Sequence, residues 1–346
     1  MNPINIFYEA NHALAGVLSA SIVSVCKNTK EELGFFLLDT GLFASDRVLL
    51  TNLVKKFRNV RLEIIKVDLD QFRELRGYRE ENFVDCYARL LIPNLVPSVD
   101  KAIYLDTDTI VLTDIKELWD TDMEDNALAA PPDTGVSHVI PPHMKLRLGI
   151  LSEKQVYISA GVYLMDCQRW RDQNITERLL ALARKERDKI VIIIEDLFTM
   201  YFRMDFKILD PKWGFIEYQP AAAQYIPLSY VTPEYLKKTS ENVAIIHFAG
   251  QNKVWKTERH WLTSKTILYF NEFWNCLAET PYYEGMCKSF LLNNMPQLGY
   301  KKEEIKNNTV RIKLFNRIPF IKIKVSNTGT RYYLFNFLPI LKITRK

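Results

Sequence analysis

The chain opens as an alternation of short apolar runs and longer periodic ones. "INIFY" at 4–8 reads as a strand, and "ALAGVLSASIVSVCKN" at 13–28 spaces its apolar residues as a buried helix does. "ELGFFLLDTG" is a second strand running into a turn, "SDRVLLTNLVKKF" an amphipathic helix behind a Ser-Asp cap, and "VRLEIIKVDLD" a third strand. Strands that alternate with helices predict an α/β domain whose sheet is mostly parallel.

Farther along, "FVDCYARLLIPNLV" reads as a helix ending near Pro93, and "KAIYLDTDTIVL" at 101–112 as a strand in the middle of the sheet. "SAGVYLMD" at 159–166 and "VAIIHFAG" at 243–250 are two more short apolar strands, with "EDLFTMYFRM" a helix between them. Residues 257–293 are helical in pattern and rich in aromatics, and 296–308 read as a polar linker. The last stretch repeats itself: "LFNRIPFIKIK" at 314–324 returns as "LFNFLPILKIT" at 334–344, a period of 20 residues. The expected organisation is a domain over 1–256, a helical extension over 257–300, and a basic, aromatic-rich tail over 301–346.

Composition narrows the class. The chain has 346 residues, 48% of them hydrophobic, enough for a large core. The net charge of +5 is uneven, because residues 301–346 hold twelve basic and two acidic residues and so carry +10, while the rest carries −5. Five dispersed cysteines lack metal-finger or disulfide spacing, which predicts reduced thiols. The N-terminus lacks the pattern of a signal peptide, and no run reaches the roughly 18 apolar residues of a spanning helix. These features predict a cytoplasmic protein that meets a membrane only at its inner surface.

Asp-x-Asp occurs three times, at Asp68/Asp70, Asp106/Asp108 and Asp120/Asp122. Turn and capping chemistry accounts for such pairs by default. Asp106 and Asp108 differ in context, since they stand where the apolar run "AIYL" gives out, and ligands of a parallel α/β sheet collect at the carboxyl ends of strands. Two residues apart on extended backbone, both carboxylates would face one cation, and a divalent ion with oxygen ligands is a common way to hold a diphosphate. "VAIIHFAGQNKVWK" adds a strand-end His247 able to ligate metal, Gly250 for close backbone approach, and Lys253 for phosphate oxygens. A buried structural histidine and a solvated lysine are the plain alternatives.

With those residues in view, the chain resembles glycosyltransferase family 8, the group of bacterial lipopolysaccharide galactosyl- and glucosyltransferases and glycogenin. The likeness spans roughly 4–257 and rests on "YLDTDTIVLTDIKELWDTDMEDN", "YARL" at 87–90, "SAGVYLMDCQRWR" at 159–171 and "HFAGQNKVW" at 247–255, in the family's order. It implies a GT-A fold, a UDP-sugar donor, Mn²⁺ or Mg²⁺, a saccharide or lipid-linked saccharide acceptor, and retention of anomeric configuration. It further implies metal ligation by Asp106, Asp108 and His247 and diphosphate contacts by Gly250 and Lys253. Arg89 and Asp133 would touch the donor sugar, Asn11 the nucleotide, and Thr107, Ser159 and Ala160 would line the donor site. Glu195 and Asp196 match a catalytic segment in which the family carries Asp-Gln-Asp; here it reads Ile194-Glu195-Asp196.

Other departures are Asn11-His12 and Leu14, where the family often has an acidic pair and an aromatic, and Ser159 in place of a frequent Asn. Retention needs either a covalent intermediate, for which Glu195 offers a carboxylate, or attack by the acceptor on the face the diphosphate leaves; the second is expected, because the family does without that carboxylate. A nucleotidyltransferase would show a Gly-rich phosphate loop that "YEANHALAG" lacks. A non-catalytic nucleotide- or polysaccharide-binding relative is the other alternative. The basic tail suits an anionic membrane surface, or else its segments are strands of a small hairpin packed on the body. No nucleic acid partner is expected.

Overall fold

A computed structural model describes residues 3–77, 83–133, 146–149, 155–216, 233–249, 253–256, 266–294, 300–305, 309–314, 318–326, 329–334 and 338–344. The first elements follow the hydrophobic pattern. Strand β1 (Ile4–Asn11) is buried along nearly its whole length, as a central parallel strand should be, and helix α1 (Ala15–Asn28) is buried from Ala15 to Cys26. Strand β2 (Leu33–Gly41), helix α2 (Ala44–Val54) and strand β3 (Val60–Lys66) complete a parallel run in which β1 pairs β2 from Ile4 opposite Leu33 to Ala10 opposite Asp39. Two later strands, β4 (Lys101–Leu105) and β5 (Thr109–Val111), divide what the sequence reads as one.

Further strands are β6 (Leu128–Ala130), β7 (Val162–Asp166), β8 (Lys207–Ile208), β9 (Phe215–Ile216) and β10 (Ile245–His247). The main sheet has the order β3-β2-β1-β4-β7-β6-β8, parallel from β3 to β4 and antiparallel where β7 pairs β4 and β6. A second sheet, β5-β10-β9, pairs β5 antiparallel to β10. Helices α3 (Ile175–Lys185) and α4 (Ile193–Phe202) follow β7, and α5 (Thr266–Ala278) packs on α1. This is the α/β architecture that the alternation of elements predicts. Among the described residues no helix is long and apolar enough to cross a membrane.

Three local expectations are corrected. The segment around Pro93 is a 3-10 turn over Asp85–Leu91 followed by a short α-helix, Ile92–Leu95, which begins rather than ends at the proline because a ring without an N–H fits the first turn. The polar stretch after Pro296 contains a strand, β11 (Tyr300–Ile305). The tail is larger than one hairpin: β11 is joined by β12 (Thr309–Leu314), β13 (Ile318–Ser326), β14 (Gly329–Leu334) and β15 (Leu338–Thr344) in a five-stranded antiparallel meander.

The 20-residue repeat maps onto two successive hairpins, β12–β13 and β14–β15. Its register repeats too, since a shift falls at Ile312/Lys313 in the first hairpin and at Tyr332/Tyr333 in the second. The chain divides into two compact units, Met1–Gln251 with Trp261–Tyr282, and Asn252–His260 with Tyr283–Lys346. The second unit holds helix α6 (Tyr283–Asn294) and the meander.

Serines are an uncommon choice on a fully buried helix, and those of α1 have a task. Ser24 Oγ accepts the N–H of Val111 at 2.9 Å, and Ser21 Oγ lies 3.1 Å from Thr109 Oγ1 and 2.9 Å from the Tyr8 hydroxyl. The helix thereby supplies polar partners to β5 just beyond the Asp106–Asp108 segment, where unpaired groups would be costly to bury.

Candidate active site

Where β4 ends, Asp106, Thr107 and Asp108 turn the chain from one sheet into the other. Asp106 donates its backbone N–H to the Gly161 carbonyl at 2.7 Å, beyond the last rung between β4 and β7, and Phe248 donates its own to the Asp108 carbonyl at 2.9 Å, beyond β5 and β10. Thr109 Oγ1 closes the turn on the Asp106 carbonyl at 2.8 Å. The two carboxylates therefore hang from different sheets. They converge through a turn, and not through the two-residue repeat of a continuous strand, which corrects the sequence argument while keeping its outcome.

The register of β10 against β5 sets His247 opposite Thr109. Its Nε2 lies 3.4 Å from Asp106 Oδ2 and 3.2 Å from Asp108 Oδ1. One ligand atom from each of the three residues falls within 4.8 Å of the others. The imidazole lies against bare backbone: a Cβ at Gly161 would sit 2.2 Å from His247 Cε1 and 2.5 Å from Nδ1. A donor set of two carboxylates and one imidazole is the oxygen-rich kind that suits Mn²⁺ or Mg²⁺. The residues present thus fit the implied ion.

A buried cation balances this end of the sheet. Arg89, 8% exposed, sets Nη2 at 3.0 Å from Asp106 Oδ1 and donates Nη1–H to the Ala160 carbonyl at 3.1 Å. Its Nε lies 3.5 Å from Glu9 Oε2, and its guanidinium covers the Tyr104 ring at 4.3 Å. Tyr104 in turn donates its hydroxyl to Asp106 Oδ1 at 3.1 Å.

Charge sets the protonation of each group. Burial pushes Glu9 up to about 8 against the pull of Arg89. Burial would also raise Asp106, but Arg89 and then His247 overcome it and hold the carboxyl below its usual range. For His247 burial works the other way and is outweighed by Asp108 and Asp106, which push the imidazole up to about 10.

Glu195, in the first turn of α4, is pushed up to about 8 by burial and then by the charge of Asp106, with Asp133 adding to it. Asp133 is 5% exposed and donates its N–H to the Tyr157 carbonyl at 2.9 Å. Asp196 is fully buried and receives four donors: the N–H groups of Val191 and Ile192, the Tyr157 hydroxyl at 2.7 Å, and Arg147 Nη1 at 3.0 Å. A carboxylate so engaged holds the start of α4 and the loop before it, which anchors its neighbour Glu195. Thr107 is buried, and Ser159 donates its N–H to the Pro131 carbonyl at 3.0 Å.

Asn11 accepts the Ala13 N–H at 3.0 Å and donates Nδ2–H to Asp85 at 3.2 Å. Beside it, His12 stacks on Phe43 with ring centroids 3.9 Å apart, and its Nδ1 lies 2.7 Å from Asp46 Oδ2. Both rings follow the carboxyl ends of parallel strands, β1 and β2, and both are more than half exposed. Lys253 belongs to the second unit, where its ammonium lies 5.6 Å from the Trp255 ring centroid, and Gly250 falls outside the described residues. The other two Asp-x-Asp pairs do turn and capping work: Asp68 accepts the Asp70 N–H at 3.0 Å, Asp120 ends a short helix, and Asp122 accepts the Glu124 N–H at 2.8 Å.

Sequence reasoning missed Glu9, Tyr104 and Gly161. A charge inside the apolar run "NIFYEAN" and a glycine opening an apolar strand were the available signals, the second because such a glycine often marks close approach of another group.

Comparison with known proteins agrees with the α/β fold. A family model, Glycosyl transferase family 8, matches residues 5–259. General stress protein A of Bacillus subtilis is 28% identical over 259 residues, covering 69% of this chain and 83% of that protein. A putative glycosyltransferase of Haemophilus influenzae is 24% identical over 254 residues, covering 73% of each. Among solved structures, galactosyltransferase LgtC in complex with donor and acceptor sugar analogs aligns with a TM-score of 0.69 at 23% identity, over 82% of this chain and 100% of that one. The bifunctional glycosyltransferase WbbM aligns with a TM-score of 0.68 at 21% identity, over 83% of this chain and 51% of that one.

The contact between Gly161 and His247 makes a test. Gly161→Ala should displace the imidazole, cost about 1–3 kcal/mol of stability as an overpacked core does, and weaken divalent-metal binding by roughly tenfold or more, the size of effect seen when support around a ligand is lost. Thermal unfolding and metal titration measure the two effects. Wild-type metal affinity in the variant would mean that the ring does not need that space.

Proposed function

Because the chain belongs to glycosyl transferase family 8, and is a glycosyltransferase, we propose that it moves a hexose from a UDP-sugar to a saccharide acceptor, with retention and with a divalent ion, in the assembly of lipopolysaccharide or another surface polysaccharide. The observation that carries the reading is the Asp106–Asp108–His247 cluster beside Arg89 at the carboxyl end of β4. A divalent ion held there would supply positive charge to the diphosphate. The stacked His12 and Phe43 rings offer a flat aromatic platform for the base, with Asn11 alongside. Arg89 and Asp133 would orient the sugar, with Thr107, Ser159 and Ala160 lining the site and Gly250 and Lys253 meeting the diphosphate. Supported by its charge, the tail would attach to the inner face of the cytoplasmic membrane, near a lipid-linked acceptor.

In the reaction the bond from sugar C1 to the diphosphate oxygen breaks, a bond from C1 to an acceptor hydroxyl oxygen forms on the same face, and that hydroxyl gives its proton to the departing phosphate oxygen. Negative charge grows on the departing group, so fixed positive charge aimed at it favours the transition state over the ground state. Lys253 is assigned that task. Glu195 is assigned a hydrogen-bonding role: held neutral below about pH 8 by burial and by Asp106, a carboxylic acid is a weak nucleophile but donates a hydrogen bond, as the family's glutamine does. LgtC has itself been solved as an active-site glutamine-to-glutamate mutant, so that fold accommodates the exchange.

Titration of the wild type with Mn²⁺ at pH 8 should release about one proton, because a ligating imidazole must be neutral and His247 titrates at about 10. Asp108→Ala should abolish both binding and transfer while remaining folded; full activity in that variant would remove the metal assignment. Lys253→Ala should lower kcat by more than it raises the KM for donor, whereas an effect on KM alone would make Lys253 a binding residue. Glu195→Gln should keep activity within about tenfold, since the amide can still donate. A loss of several orders of magnitude in steady-state assays would instead assign Glu195 to covalent catalysis.

A further inference from the structure

We propose that the tail meets the membrane through one face of its five-stranded sheet, the basic one, which docks on anionic lipid headgroups; this rests on the membrane attachment just proposed. Residues directly opposite in an antiparallel sheet share a face, and so do residues two apart on one strand. Arg311 stands opposite Lys322, Lys324 opposite Arg331, and Arg331 opposite Lys342. Those five cations share one face. The other face takes Val310, Ile312, Ile321, Ile323, Tyr332 and Leu341, with Lys302 and Glu304 of β11 at its edge. On the basic face Glu303 of β11, opposite Arg311, is the one acid among the described residues, and residues 309–344 contain neither Asp nor Glu.

Like charges directly opposite oppose strand pairing. Here the unfavourable pair is repeated, because a shift of 20 residues carries Arg311 opposite Lys322 onto Arg331 opposite Lys342. An arrangement that costs stability twice at equivalent positions fits a surface whose charge is neutralised by something outside the chain. The cations spread over four adjacent strands, a patch roughly 15 Å across at the usual strand spacing. A two-dimensional array of that kind matches a plane of headgroup phosphates better than it matches a linear polyanion, which would follow a groove. On β12 to β15 these cations fall on one face and the apolar residues named above on the other, with Tyr333 opposite Lys322 an exception, so docking by charge and docking by apolar insertion can be told apart.

Cosedimentation of the full chain with vesicles tests this. Wild-type protein should bind phosphatidylcholine vesicles that contain phosphatidylglycerol, and release them as salt rises. Each Lys or Arg near an anionic surface contributes about fivefold in binding, so Lys322→Gln/Lys324→Gln/Arg331→Gln should bind on the order of 100-fold more weakly with no loss of thermal stability. A second triple, Lys306→Gln/Arg345→Gln/Lys346→Gln, removes the same net charge beyond the ends of β11 and β15 and should lose far less. Equal binding to pure phosphatidylcholine would assign the contact to the apolar face. Equal losses in the two triples would reduce it to net charge, and binding to dextran sulfate without binding to vesicles would assign a soluble polyanion. Each of these outcomes, or no vesicle binding at all, overturns the proposal. Metal-dependent hydrolysis of UDP-sugar, read in parallel, separates the two readings: hydrolysis without vesicle binding rejects the docking face alone, and vesicle binding without hydrolysis rejects the transferase reading alone.

Discussion

Charge compensation around Arg89 is the constraint that the rest of the site obeys. A guanidinium this deeply buried is tolerable only among carboxylates, and removing one partner of such a pair costs about 3–5 kcal/mol because the other charge is left uncompensated. Arg89 draws Glu9 from β1, Asp106 from the end of β4 and the carbonyl of Ala160 from the lead into β7 into one arrangement. His247 extends the chain of alternating charge to Asp108. Asp106, Asp108 and Asp133 still outnumber the two cations Arg89 and His247 here, and that imbalance is what makes the place suited to a further positive ion.

The second determinant is topological. β4 and β5 belong to different sheets, and the three residues between them are hydrogen-bonded to both, so the backbone that carries the two carboxylates cannot move without disturbing a hydrogen-bonded ladder. Helix α1 braces the far side of the junction with the hydroxyls of Ser21 and Ser24, polar groups set into an otherwise apolar surface. Rigid elements thus hold Asp106 and Asp108, and His247 is seated by the absence of a side chain at Gly161. The precision comes from the scaffold and not from the three side chains themselves.

Much of this was legible in the sequence, for physical reasons that differ by residue. Asp106 and His247 could be found because an apolar run that stops at an ionisable group marks a strand end, and strand ends are where such sheets bind ligands. The turn at 106–108 was not legible, since Thr-Ile-Val reads equally well as more of the same strand; only the pairing of β5 with β10 separates them. Glu9 was hidden by its neighbours, because a lone acid in an apolar run acquires meaning only when its buried partner is known, and Arg89 lies 80 residues away. The role of Asp196 was likewise invisible, as its four donors come from three separate segments. In the tail the repeat was plain, but the separation of faces needed the register.

That register has an evolutionary reading. A 20-residue unit that carries its own hairpin, its own bulge and its own opposed basic pair can be duplicated in frame without disturbing its neighbours, since an antiparallel meander accepts a further hairpin at its free edge. Tail length then becomes a countable variable, and surface charge changes in steps set by the unit. Genes encoding relatives of this chain could lengthen or shorten the tail by gain or loss of such a unit, while the unit upstream keeps its sequence.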